Sequence, residues 1–342
     1  FHSNSGIYRW NKTLIEGLDL RVPSVRMLDQ SRIGPILEGD ADALAGGPPV
    51  TAMLIQNTNP VTIAPDQTRV RRGFARDDLF VCVHEQFMTE TARMADIVLP
   101  ATMFLEHDDL YQAGGNQHIL FGPALVDPPG ECRPNHAVIR PLAQRLGSDE
   151  HPGFHMTARE LIDGTLRQSG RGTLEDLEAA RFLDVQPDFD TAHYVDGFAW
   201  PDGKFRLRPD WPKVPYSAPS TFGPVEEMPR FPDHWAVIEE ADAEHPFRLV
   251  TAPARNFLNS TFTETPTSQT RESRPSLLLH PDDAVALGVA DGDRVEVTNR
   301  RGAVFLHARL FDGVRRGVVV AESIWPNRAH EGGRGINTLT GA

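Results

Sequence analysis

Three short apolar runs in the first third of the chain constrain its fold more than any other feature. They are Val50–Ile55, Leu79–Val83 and Asp96–Pro100. Apolar and polar residues do not alternate in them, and continuous runs rich in β-branched residues are typical of strands covered on both faces. The segments between them, at residues 65–74 and 88–95, have the pattern of short helices. This β-α-β-α-β order predicts a doubly wound parallel sheet with right-handed crossovers.

The last third of the chain has a different pattern, in which short strands are separated by glycine-containing turns. Residues 294–298 alternate between polar and apolar side chains, and residues 303–310 and 317–320 continue as strands. A polar, Thr-rich loop at residues 251–270 precedes them. We therefore expect a β-rich domain in this part of the chain.

These patterns divide the chain into three parts. Residues 1–182 are expected to form an α/β domain that is truncated at its N-terminus, because the chain does not begin with Met. Residues 183–246 are rich in Pro, Asp and aromatic residues and are expected to be an insertion or linker. Residues 247–342 are expected to form the β-rich domain.

The composition excludes several classes of function. A formal net charge of −13 argues against nucleic acid as a partner, since its phosphate backbone calls for a basic surface. No apolar stretch approaches the roughly 20 residues of a membrane helix. The two cysteines, Cys82 and Cys132, form no CxxC motif and no zinc-site spacing. No secretory apolar region is visible near Phe1, so we expect a cytoplasmic protein, although a periplasmic location stays open.

Polar residues follow two of the predicted parallel strands. Asn57 and Asn59 come directly after the first strand, and His84 and Glu85 end the second. Ligands of open α/β sheets bind beyond the carboxyl ends of the strands, so these positions are candidates for a binding site. An Asx-turn that only ends the strand, and a solvated histidine, are the alternative interpretations.

Several phrases of the sequence resemble the molybdopterin oxidoreductases related to dimethyl sulfoxide reductase, formate dehydrogenase and nitrate reductase. Asn57-Thr58-Asn59-Pro60 is one, and the run ADIVLPATMFLEHDD, at residues 95–109, is the most recognisable. Residues 128–138, the loop at 251–261 with its Arg255, and Asn337-Thr338-Leu339-Thr340 also match. The resemblance covers residues 45–147 and 247–340. It departs from the family pattern in the barrel loop, where the histidine pair often seen is absent.

The resemblance implies a fold and a set of contacts. The fold is the end of a doubly wound α/β domain followed by a six-stranded β-barrel of the double-psi type. The implied contacts to the cofactor are Asn57, Thr58, Asn59, His84, Glu85, Glu106, His107, Asn135, Thr251, Ala252, Arg255, Asn256, Phe257, Asn259, Ser260, Thr261 and Asn337. For Glu106 and His107 a solvated acidic loop is the alternative, for Asn135 a helix cap, and for residues 251–261 an ordinary polar loop.

The function implied is that of a molybdenum-dependent oxidoreductase. The cofactor would be Mo-bis(molybdopterin guanine dinucleotide), and the reaction a two-electron redox step or oxygen-atom transfer on a small-molecule substrate. Neither cysteine fits the molybdenum ligand or a four-cysteine cluster, so we identify no catalytic residue and no metal ligand. A 4Fe-4S cluster, if the protein has one, would belong to the missing N-terminal part, and an iron–sulfur or other electron-transfer partner is implied.

Two alternatives stay open. The first is a non-catalytic electron-transfer subunit of the same fold, like the large subunit of respiratory complex I, which lacks molybdenum. The joint presence of Asn57, Arg255, Asn259 and Asn337 favours binding, because a relative that had lost the cofactor would not need them. The second is an unrelated α/β enzyme joined to a protein-binding barrel, which would predict apolar exposed loops rather than the polar residues 251–270.

Overall fold

The computed structural model describes residues 10–20, 26–113, 116–198, 200–208, 210, 231 and 240–341. Its strands are β1 (Ala52–Gln56), β2 (Phe80–Glu85), β3 (Ile97–Pro100), β4 (Asp109–Tyr111), β5 (His118–Gly122), β6 (Phe182–Asp184), β7 (Arg248–Ala252), β8 (Ser276–Leu279), β9 (Arg294–Asn299), β10 (Gly302–Leu310) and β11 (Val318–Glu322). Its α-helices are α1 (Thr13–Glu16), α2 (Ile33–Leu37), α3 (Pro60–Ile63), α4 (Gln67–Phe74), α5 (Glu90–Arg93), α6 (Asn135–Arg145), α7 (Ala158–Gln168), α8 (Leu174–Ala180), α9 (Phe189–Ala192), α10 (Pro266–Glu272) and α11 (Pro281–Leu287).

The chain divides into two compact units. The first unit comprises Phe1–Val25 and Pro100–Val214, and the second comprises Arg26–Leu99 and Pro215–Ala342. The second unit therefore holds both the strands predicted at residues 50–100 and the β-rich C-terminal part. None of the helices in the described ranges has the length and apolar character that a membrane crossing requires.

The predicted parallel sheet is confirmed in the second unit. The strand order is β1-β2-β3, and β1 pairs with β2 in parallel with Gln56 opposite His84. Helix α4 buries Val70 and Phe74 against this sheet. Glycine is required at position 73, because a Cβ there would lie 2.5 Å from the Cβ of Leu37 on α2. The buried strand residues therefore face α2 and α4.

Only one face of this sheet is covered by the described residues. Leu54 and Phe80, on the opposite face, are 39% and 48% exposed. The sequence predicted that both faces of this sheet are buried, and the described residues of the second unit bury one of them.

The first unit contains an antiparallel sheet of order β4-β5-β6. Ile119 of β5 packs with Leu166 of α7 and Leu177 of α8 in its core. Both helices begin with a capping box, in which Thr157 and Thr173 exchange hydrogen bonds with the residue three positions later. Strand β6 lies across the predicted boundary between residues 182 and 183, so the sheet uses the first residues of the expected linker.

The C-terminal part of the second unit is a curled, mixed sheet of order β7-β11-β8-β10-β9. Pairs β8–β10 and β7–β11 are parallel, and pairs β9–β10 and β8–β11 are antiparallel. Its two edge strands line a common cavity of about 840 Å³, with Leu249 on one side and Val297 on the other. The resemblance implied a six-stranded double-psi barrel, and the described ranges hold a curled sheet of five strands, which is consistent with the C-terminal domain of that fold.

A buried glutamine joins the parallel sheet to the segment that follows β11. Gln67, the first residue of α4, donates to the Oδ1 of Asn327 at 2.6 Å and to the carbonyl of Val61 at 3.1 Å. Its Oε1 accepts from the N–H of Gly335 at 3.1 Å and from the hydroxyl of Thr338 at 3.2 Å. Both ends of the buried amide are satisfied, as a buried polar side chain requires.

A second amide of the same segment, residues 326–341, supports helix α3. Asn337 donates from Nδ2 to the carbonyls of Thr62 at 3.1 Å and Ile63 at 3.0 Å. The N–H of Asp66 donates to the carbonyl of Thr340 at 2.8 Å. We call Gln67, Asn327, Asn337 and Thr338 the polar junction. It binds the loop after β1 to the 326–341 segment.

His330, in the same segment, has a buried imidazole ring whose nitrogens lack well-formed hydrogen bonds among the described residues. It is 6% exposed, and neither ring nitrogen makes a hydrogen bond of normal geometry among the described residues. Burial disfavours the charged ring and lowers the pKa of His330 from 6.5 to about 4, an effect that the backbone of Phe305 offsets only in part.

We expect His330 to make the protein sensitive to acid. Its pKa is lower in the fold than in the unfolded chain, so the unfolded chain binds the proton first and stability falls as pH drops from 6.5 towards 4. The shift corresponds to at most about 3 kcal/mol. In urea unfolding, His330→Leu should gain roughly 2 kcal/mol relative to wild type on going from pH 7 to pH 4.5. An equal difference between the two proteins at both pH values would contradict this.

Candidate cofactor-binding site

The turn after β1 presents polar groups at the carboxyl end of the parallel sheet. Asn57 has a left-handed backbone with φ of 57°, which asparagine tolerates better than most residues. Its side chain and that of Thr58 are exposed. Asn59 is buried, and its Oδ1 accepts from the hydroxyl of Thr91 at 2.7 Å. The turn is therefore held from inside by Asn59 and offers Asn57 and Thr58 outward.

The end of β2 lies beside this turn. His84 is fully buried, and its Nδ1 lies 3.0 Å from the Nε2 of Gln56 on β1. The expected cofactor contact of His84 is therefore not supported by its position. Glu85 stays partly exposed and accepts from the N–H of Gln86 at 2.7 Å. Burial raises the pKa of Glu85 above its ordinary value.

The loop after β7 combines a packed base with an exposed tip. Phe257 is buried and packs edge-on against Trp325, with ring centroids 4.8 Å apart. Asn256 donates from its Nδ2 to Glu272 at 2.7 Å, which ties the loop to α10. The amide of Asn256 is thus partly committed within the protein, and Phe257 serves to anchor the loop.

The exposed part of the same loop carries the guanidinium of Arg255. Arg255 is exposed and makes no ion pair or side-chain hydrogen bond in the described ranges. Asn259 is exposed with a left-handed φ of 51°, and Thr261 is exposed beside it. Ser260 is half-buried, and its carbonyl accepts from the hydroxyl of Thr263 at 2.6 Å.

Three further predicted contact residues differ in their exposure to solvent. Thr251 is exposed and lines the cavity of the curled sheet, and Ala252 is half-buried at the end of β7. Asn337 is buried, and both its Nδ2 hydrogens and its Oδ1 are engaged, the latter by Thr340 at 3.0 Å. Its side chain therefore supports α3, and its contact with the cofactor stays a prediction.

The remaining predicted residues belong to the first unit. Glu106 accepts from the N–H of Met103 at 2.8 Å, and the Nδ1 of His107 lies 2.8 Å from the hydroxyl of Thr102. Asn135 is exposed at the first turn of α6 and makes no capping hydrogen bond. Over the described parts of the chain, no three carboxylate, imidazole or thiol groups converge as they would around a metal ion.

Comparison with known proteins assigns this arrangement to a family. The family model Molybdopterin oxidoreductase matches residues 41–145, and the model Molydopterin dinucleotide binding domain matches residues 247–342. The chain is 32% identical to the probable oxidoreductase YoaE of Bacillus subtilis over 98% of its own length and 47% of that protein. The chain belongs to the molybdopterin oxidoreductase superfamily.

Other members of the superfamily show the same partial coverage. Identity is 31% to a nitrate reductase of Symbiobacterium thermophilum, over 78% of this chain and 35% of the relative. It is 27% to a putative dimethyl sulfoxide reductase of Halobacterium salinarum, over 83% and 34%. The chain thus spans less than half the length of these relatives. Acetylene hydratase from Pelobacter acetylenicus has the same fold, with a TM-score of 0.69 at 23% identity over 89% of this chain and 42% of that one.

The exposed groups of the second unit have the chemistry that a molybdopterin dinucleotide requires. A pyrophosphate needs positive charge and hydrogen-bond donors, and Arg255 offers a guanidinium that is unpaired among the described residues. Asn57 and Asn259 offer amides, while Thr58 and Thr261 offer hydroxyls. The buried members of the predicted set, His84 and Asn337 among them, do not add to this surface. These contacts stay predictions, and the residues present fit the group.

Sequence patterns did not point to three residues that shape this surface. Gln67 and Asn327 belong to the polar junction, and Arg328 follows them in the 326–341 segment. A glutamine at a helix start gives no signal of burial. Asn327 and Arg328 are polar residues in the segment that follows β11, and this position could have indicated them, because ligand sites of α/β sheets lie beyond the carboxyl ends of strands.

Substitutions of Asn57 should separate its backbone role from its side-chain role. Asn57→Ala should destabilise the protein by about 1 kcal/mol, because the left-handed backbone conformation is less favourable for alanine than for asparagine. Asn57→Gly removes the same amide but accommodates the turn, so its free energy of unfolding should stay close to that of wild type. Denaturant unfolding of both variants tests this. Equal losses for alanine and glycine would show that the side chain, not the backbone angle, stabilises the turn.

Proposed function

We propose that the full-length protein containing this chain is a molybdenum-dependent oxidoreductase that binds Mo-bis(molybdopterin guanine dinucleotide). One observation carries the proposal. The exposed turn after β1 and the exposed loop after β7 belong to one compact unit and to segments matched by the two family models. Both present amides and hydroxyls outward, and the loop after β7 also presents the exposed Arg255, which has no ion-pair partner in the part of the chain that the structure describes.

The residues of this chain would bind and orient the dinucleotide. Arg255 neutralises pyrophosphate charge, and Asn259 and Thr261 add hydrogen bonds from the same loop. Glu85 accepts hydrogen bonds from the donor edge of guanine, and Asn57 contributes from the neighbouring strand end. When bound, the molybdenum supplies two-electron redox or oxygen-atom transfer chemistry.

The substrate is proposed only as a small molecule. Relatives carry names that refer to dimethyl sulfoxide, nitrate and formate, and the residues of this chain do not choose among them. An electron-transfer partner and a 4Fe-4S cluster outside this chain are part of the proposal. The alternative is a non-catalytic subunit of the same fold, for which the exposed polar set around Arg255 would have no use.

The metal and pterin content of the full-length protein tests the proposed function. Purified from a host that makes the cofactor, it should contain molybdenum near one per chain and release about two guanine nucleotides per molybdenum on acid treatment. Neither molybdenum nor pterin would leave the fold intact but favour the non-catalytic subunit.

Arg255 provides a residue-level test. Arg255→Met should weaken the binding of guanosine diphosphate by the cofactor-free protein by about tenfold or more, since a charge-assisted hydrogen bond contributes roughly 1.5–3 kcal/mol. Arg315→Met is the matched control, because Arg315 is also exposed in the second unit but lies in the turn before β11. Calorimetric titration measures both. Equal weakening in the two variants would point to net charge rather than to a specific contact.

A further inference from the structure

Arg328 connects two carboxylates from distant parts of the second unit. Its Nη1 lies 3.2 Å from the Oε1 of Glu90, and its Nη2 lies 2.5 Å from the Oε2 of Glu264. Glu90 is the first residue of α5, and Glu264 lies in the loop between β7 and α10. One guanidinium therefore bridges the α/β part and the curled sheet.

The Glu90 side of this bridge leads to the turn after β1. The second oxygen of Glu90 accepts from the hydroxyl of Thr62 on α3 at 3.0 Å. Thr91, the next residue, donates from its hydroxyl to Asn59 and accepts from the N–H of Val61. Holding Glu90 therefore holds the first turn of α5, on which Asn59 and its exposed neighbours depend.

The Glu264 side leads to the loop after β7. Glu264 directly follows Thr263, whose hydroxyl donates to the carbonyl of Ser260. The amide of Gln269 on α10 donates to the carbonyl of Thr263 at 2.6 Å, which fixes this end of the loop. Holding Glu264 thus fixes the exposed stretch that contains Asn259 and Thr261.

The charges show that Arg328 is committed to this bridge. The side chains of Glu90 and Glu264 are 13% and 18% exposed, and that of Arg328 is 41% exposed. The glutamates raise the pKa of Arg328. The three groups together carry a net charge of −1, which repels phosphate. Arg255, by contrast, has no carboxylate partner in the described ranges. Arg255 is therefore available to an anionic ligand, whereas Arg328 is held by two glutamates.

The geometry points to Arg328 as a positioning residue that sets the spacing between the turn after β1 and the loop after β7 for a guanine dinucleotide. This inference rests on the proposed function. A planar guanidinium can bond two carboxylates at once, whereas an ammonium is a point charge that bonds them less well. Without the guanidinium, two mostly buried carboxylates would face each other uncompensated, and the loops would separate.

The test compares variants of the cofactor-free full-length protein. Arg328→Met should weaken guanosine diphosphate binding by about tenfold or more, and Arg328→Lys should recover part of the loss. The matched control is Arg294→Met. Arg294 forms an equally close two-point ion pair with Glu331 but lies on β9, outside both loops, so its affinity should stay within about twofold of wild type.

Hydrogen–deuterium exchange supplies the direct readout of spacing. Arg328→Met should raise exchange in residues 57–62 and 255–264 together, whereas Arg294→Met should leave both stretches unchanged. If Arg328→Met does not fold, Glu264→Gln replaces it in the test, since this substitution removes the ion pair between Arg328 and Glu264. It should weaken nucleotide binding at least threefold at an unchanged melting temperature.

The outcomes separate this inference from the proposed function. If wild type binds the nucleotide and Arg328→Met binds it equally well, the positioning role is wrong and the proposed function stands. Equal weakening by the Arg294 control also overturns the positioning role. If wild type retains no pterin and binds no guanosine diphosphate, the proposed function fails, and the role of Arg328 fails with it.

Discussion

The buried amide of Gln67 is the interaction on which the second unit depends. It lies where α4, the turn after β1 and the 326–341 segment meet, and each of its polar atoms bonds a group from another element. Glycine is required at position 335, since a Cβ there would lie 2.6 Å from the Oδ1 of Asn327. A buried polar group without its partner costs about 1–3 kcal/mol, so loss of Gln67 would leave several groups uncompensated at once.

In the second unit, some asparagine side chains point into the protein and others point towards solvent. Asn59, Asn327 and Asn337 face inward, where their hydrogen bonds fix the backbone. Asn57 and Asn259 face outward from left-handed turns, and the inward group supports the turn that carries Asn57. Rigid support beneath an adaptable polar surface is what recognition of a dinucleotide requires, because binding affinity improves when the contacts are already in position.

The sequence predicted the framework of the fold better than the roles of single residues. The runs at residues 50–55 and 79–83 became β1 and β2 because uninterrupted apolar residues leave few alternatives to a buried strand. Asn57 and Asn337 are the same residue type in similarly polar phrases, yet one is exposed and the other buried. The difference is set by contacts between residues far apart in the chain, which no local pattern records. For the same reason the sequence placed His84 among the candidate binding residues, although its side chain is buried.

The long sequence separation across the polar junction has a consequence for biosynthesis. Gln67 and Asn327 are 260 residues apart, and Asn337 and Thr62 are 275 apart. A ribosome delivers β1, its turn and α4 first, and it delivers their hydrogen-bond partners only after the whole curled sheet has been translated. Until then the carbonyls of Thr62 and Ile63 must be hydrated by solvent. A nascent chain therefore lacks the finished turn until residues 326–341 have left the ribosome.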